Sequence, residues 1–155
     1  MSTIQQNLNT IKSQLPTNVT LVAVSKTKPV ADLMEAYNAD QRIFGENYVQ
    51  ELVEKHEQMP KDILWHFIGH LQSRKVKLIA PFVHLIHGVD SFKLLQEIDK
   101  QAAKNNRVID CLLQIYIAEE ESKFGLDEQE LDEMLKLVQH DKENFKNIRI
   151  AGLMG

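Results

Sequence analysis

Two lysines, Lys26 and Lys28, follow directly on the run Leu21-Val-Ala-Val-Ser25 and precede Pro29. The run is small, apolar and β-favouring, which predicts a strand buried on both faces. An ammonium held at the end of such a strand is poorly solvated, which lowers its pKa and makes the neutral amine accessible. A neutral amine condenses with an aldehyde or ketone as a Schiff base. Lys26 is the candidate for that chemistry. From this stretch alone, the two lysines read equally well as ordinary solvated loop residues.

Other residues offer less. His66 and His70 have i, i+4 spacing, but His66 falls in the strand-like run Leu64-Trp-His-Phe-Ile68, so a satisfied structural histidine is the better reading than a metal ligand. His84 and His87 are expected on opposite faces of their strand, unable to share a metal without a bulge. Asn47, next to a strand end, reads as a helix cap or as a ligand contact. Lys123 lies in the acidic loop Glu119-Glu-Glu-Ser-Lys-Phe-Gly125, which could fold back over a site. Cys111 sits within Val108-Ile-Asp-Cys-Leu-Leu-Gln-Ile115 and reads as a small core hydrophobe. Walker and G-x-G-x-x-G phosphate loops are absent from the sequence.

The elements that must position these residues alternate. Ser2 and Gln5 have capping-box spacing ahead of the stripe Ile4, Leu8, Ile11, Leu15. After the Lys26 strand come a helix from Pro29, a strand Arg42–Gly45, and a helix opened by Glu46-Asn47 with Tyr48, Leu52, Val53 and His56 inward. Then follow the strand Leu64–Ile68, a short basic helix Gln72–Ala80, a strand Val83–Val89 and a helix capped by Ser91. A fifth strand Val108–Ile117, a helix with the capping box Asp127/Glu130 and a sixth strand Ile148–Gly155 complete the series. Repeated β-α units of this size predict a parallel sheet with helices outside, either an open doubly wound sheet or a β/α barrel. A barrel takes eight strands and about 250 residues. Six strands in 155 residues, ending on a strand, predict a single domain that is the amino-terminal portion of a parallel β/α barrel, truncated after about six of its eight strands. In either closure ligands bind at the carboxyl ends of the strands.

With 43% hydrophobic and 26% charged residues and a net charge of −4, the chain reads as globular. That charge argues against nucleic-acid or anionic-membrane partners. The single cysteine points to a reducing cytoplasm, and no apolar run has the length of a membrane span.

Five blocks, in order, carry a resemblance: Ala23-Val-Ser-Lys-Thr-Lys-Pro29; Phe44-Gly-Glu-Asn-Tyr-Val-Gln-Glu51; Trp65-His-Phe-Ile-Gly69 with Leu71-Gln-Ser73 and Lys75; Ser122-Lys-Phe-Gly125; and Gly152-Leu-Met154. Together they resemble the pyridoxal 5′-phosphate (PLP) homeostasis protein family of the YggS type. The resemblance implies the barrel of the alanine racemase amino-terminal domain, with PLP held as a Schiff base on Lys26. Lys28 or Lys123 would serve as an exchange amine or phosphate contact, and Asn47 and His66 would lie near the cofactor mouth. It implies cofactor buffering and delivery to PLP-dependent apoenzymes rather than turnover. The alternatives are a PLP-dependent amino-acid racemase and an aldolase-type Schiff-base enzyme. Arg74 stands where the family usually has asparagine, and the later phosphate-cradling blocks of the family do not occur here, so PLP binding is expected to be weakened.

Overall fold

The computed structural model describes residues 1–117, 125–141 and 145–155. The elements run α1 (Thr3–Gln14), β1 (Ala23–Val24), α2 (Val30–Asn38), β2 (Ile43–Glu46), α3 (Val49–Gln58), β3 (Leu64–Phe67), a 3-10 turn (Ser73–Lys75), α4 (Val76–Ile79), β4 (Leu85–Val89), α5 (Phe92–Lys104), β5 (Ile109–Gln114), α6 (Glu128–His140) and β6 (Ile148–Met154). Local chemistry sets several starts. Ser2 Oγ accepts from Gln5 N at 3.2 Å while Gln5 Oε1 accepts from Ser2 N at 3.1 Å, which closes the capping box. Ser91 Oγ and Asp127 Oδ1 accept from Leu94 N and Glu130 N, at 3.1 and 2.8 Å.

All six strands are parallel and lie side by side in chain order. A doubly wound sheet needs a point where the strand order reverses. None occurs here, so right-handed crossovers place every connecting helix on the same face. That is the construction of a β/α barrel wall, and it decides between the two closures the sequence allowed.

Strand residues divide accordingly. Phe44, Trp65, Phe67, Ile86, Ile109, Cys111 and Leu113 are buried and pack with Leu52, Ile79, Leu95 and Ile98 of the helices. The opposite, concave face carries the rung Val24, Gly45, His66, Leu85, Asp110 and Arg149, matched residue for residue by the register.

Some boundaries differ from expectation. The first strand is not buried on both faces. It pairs over only two residues, and Val24 is 55% exposed because β1 is an outer strand with a neighbour on one side. The basic helix is a 3-10 turn followed by one α turn, and α3 begins at Val49 with Tyr48 as its N-cap rather than at Glu46-Asn47. Tyr48 is exposed rather than inward.

Candidate functional site

The carboxyl ends of β1, β2 and β3 form one rim. Ser25 N donates to Gly45 O at 2.9 Å and Ile68 N to Glu46 O at 2.9 Å, which brings Lys26, Asn47 and Gly69 to the same level. Gly69 is required there by close approach. A Cβ on it would lie 2.3 Å from Asn47 O and 2.9 Å from Asn47 Cα. Gly88, beyond it, leaves open the space beside Gly69 O and Gln114 Oε1, at 3.1 and 3.2 Å from an added Cβ.

Lys26 is exposed. The expectation of a poorly solvated lysine is not met, since Lys26, Thr27 and Lys28 form an exposed turn past the end of β1. What the structure supplies instead is a fixed backbone. Lys55 of α3 is 4% exposed, and its Nζ donates to Ser25 O, Glu46 Oε1 and Glu51 Oε1, each at 2.6 Å. Glu46 Oε1 also accepts from Ser25 Oγ at 2.7 Å, and Glu51 Oε1 from Thr27 N at 2.5 Å. Thr27 has φ 63°, a left-handed conformation unusual for a β-branched residue and costing about 1–3 kcal/mol. The Glu51 carboxylate on its N–H is one of the contacts that hold it there.

Burial pushes the Glu46 carboxyl up, against the pull of Lys55 and Ser25; its Oε2 is buried and without a hydrogen-bond partner. Burial acts the same way on Glu51, but the bonds from Lys55 and Thr27 outweigh it and hold that carboxyl below its ordinary value. Sequence reading missed this cluster. Glu51 and Lys55 look like a solvated i, i+4 pair, and the signal available was the i, i+3 step from buried Leu52 to Lys55.

Lys28 shares the turn, its N donating to Ser25 O at 3.1 Å, and its side chain is exposed. Asn47 lies on the rim, half-buried, but does not cap α3. His66 lies lower, on the concave rung of Val24 and Gly45. Its Nδ1 is 2.9 Å from His87 Nε2, and burial together with His87 and His84 lowers its pKa to about 4. Its ring therefore has a side-chain partner in His87. His84 and His87 are not kept apart as their spacing implied, since both rings neighbour His66, at centroid distances of 5.7 and 5.1 Å; the β4 register shifts between Ile86 and Val89. Among the described residues no group of three His, Cys, Asp or Glu side chains is arranged to hold a metal ion. Lys123 and the acidic run around it lie outside the described residues.

The rim therefore carries an exposed lysine on a fixed backbone. The alanine racemase N-terminal domain family model matches residues 1–155. A pyridoxal phosphate homeostasis protein of Schizosaccharomyces pombe is 43% identical over 161 residues, covering 99% of this chain and 66% of that protein.

The chain belongs to this family, among the pyridoxal phosphate homeostasis proteins.

Within it, the Vibrio alginolyticus homeostasis protein is 40% identical over 169 residues, covering 99% of this chain and 71% of its own length. The structure of PipY from Synechococcus elongatus PCC7942, solved without PLP, superposes with a TM-score of 0.90 at 37% identity, over 97% of this chain and 69% of that one. The form solved with PLP bound gives 0.88 at 36%, with the same coverage of both chains. The chain thus spans about two thirds of the length of these family members.

Proposed function

We propose that this chain is a PLP-binding protein of cofactor homeostasis that holds PLP as a Schiff base on Lys26. The observation carrying the reading is the place of Lys26. It lies just past the carboxyl end of the first strand of a β/α wall, exposed, with the peptides on either side of it fixed. The family names and the PLP-bound form of PipY support the choice of aldehyde. In the covalent step the Lys26 Nζ lone pair attacks the aldehyde carbon, a C=N bond replaces C=O, and water leaves. Because the bond is reversible, the amine stores a reactive aldehyde and can release it.

Lys28, two residues on, would contact phosphate or exchange the aldehyde; Lys123 is proposed for the same role. Asn47 would border the cofactor from the rim and His66 from the concave face below. Storage and delivery to PLP-dependent apoenzymes in the cytoplasm, without turnover, is the activity proposed. Incubating the chain with PLP, reducing with borohydride and mapping the modified lysine by mass spectrometry tests it. The label is expected on Lys26 and absent from Lys26→Arg; a label on another lysine in the native chain overturns the assignment.

A further inference from the structure

Both peptide groups that flank the Lys26 α-carbon end on one ion cluster. The carbonyl of the Ser25–Lys26 peptide accepts from Lys55 Nζ at 2.6 Å. The N–H of the Lys26–Thr27 peptide donates to Glu51 Oε1 at 2.5 Å. Lys55 and Glu51 are themselves joined at 2.6 Å, one turn apart on α3. The cluster is anchored below by Glu46, fully buried, which holds both Lys55 and Ser25 Oγ.

From this geometry we infer that Glu51 and Lys55 are positioning residues that aim the Lys26 side chain at the site. Two fixed peptides set the direction of a Cα–Cβ bond, and the left-handed Thr27 shows that the turn is held where an unrestrained chain would not rest. The same cluster removes a competitor. All three N–H donors of the Lys55 ammonium are engaged, so this amine, although bonded to the Ser25 carbonyl of the turn, is not offered to an aldehyde. α3 thereby orients one lysine and occupies another. The inference rests on the reading that Lys26 takes PLP.

The variants Glu51→Ala and Glu51→Gln, in the full chain, separate positioning from general stability. Glu51 is partly exposed, so neither substitution opens the core. The glutamine keeps an oxygen that accepts the Thr27 N–H; the alanine has none. With PLP as probe, E51A is expected to bind roughly ten- to a hundredfold more weakly. Its borohydride label should spread from Lys26 to other lysines, and its pH profile of labelling should shift. Hydrogen exchange at the Thr27 amide should accelerate in E51A and stay slow in E51Q, which is expected to recover most of the binding and the specificity. A native chain labelled on Lys26, with E51A matching it in affinity, label position and pH profile, overturns the positioning role and leaves the Lys26 reading intact. A native chain labelled elsewhere overturns both.

Discussion

His66 Nδ1 and His87 Nε2 face each other across β3 and β4 at 2.9 Å, one ring donating and the other accepting. That bond requires at least one neutral imidazole, and burial lowers both pKa values, that of His66 to about 4. Unfolding returns His66 to its ordinary 6.5, so the unfolded chain binds more protons between about pH 4 and 6.5. Stability contributed by the pair is therefore complete above pH 6.5 and is lost as the pH falls towards 4, by up to about 3 kcal/mol for His66. Urea unfolding at pH 7 and pH 5 should show this fall, and His66→Gln should flatten it. An equal slope in wild type and H66Q would mean that the pair is not held neutral.

The Lys55–Glu46 bond predicts a strong non-additivity. Lys55→Met leaves the fully buried Glu46 beside an apolar stem, and such an uncompensated carboxylate is expected to cost about 3–5 kcal/mol. Glu46→Leu in the same chain removes the charge that was left behind, so the double variant should recover most of the loss. Denaturant midpoints of the single and double variants measure the coupling; additive losses would contradict it.

Cys111 faces the helices from the middle of β5, and burial pushes its thiol up to about 12. A thiolate-directed reagent is expected to leave it unmodified in the folded chain and to modify it quickly in denaturant. The rate in native buffer should follow the opening of the sheet, rising with added urea; rapid labelling without denaturant would place the residue elsewhere.

The parts of this fold legible in the sequence are those with local causes. Ser2, Ser91 and Asp127 cap because a hydroxyl or carboxylate three residues ahead of a free N–H can always reach it. The β-α alternation follows from hydrophobic period and punctuation, and Trp65, Phe67 and Cys111 are core as their runs implied. What could not be read depends on contacts distant in sequence. Val24 is exposed because of where β1 stands in the sheet, which no property of the run Leu21–Ser25 encodes. Lys55 is buried because Ser25, thirty residues earlier, presents a carbonyl to it. His87 meets His66 because β3 and β4 pair with His66 opposite Leu85, a register set between strands rather than within either run. Lys26, the lysine proposed to take the aldehyde, is legible from its block; the cluster on its flanking peptides is not, because each member resembles a surface charge when taken alone.

The rim itself can be probed by adding a single methyl group in two places. At Gly69 a Cβ would fall 2.3 Å from Asn47 O, against backbone that cannot swing aside like a side chain. At Gly152 on β6 it would meet only Leu112 Cδ2, at 3.5 Å, an ordinary contact. Gly69→Ala is therefore expected to cost about 3 kcal/mol or more and to displace the β2 end of the rim, whereas Gly152→Ala should stay within about 1 kcal/mol of wild type. Thermal unfolding compares the two. Under the proposed function the first should also weaken PLP binding, because Asn47 and the Lys26 turn share that rim. A Gly69→Ala chain as stable as Gly152→Ala would show that β2 and β3 do not converge at Asn47 as described.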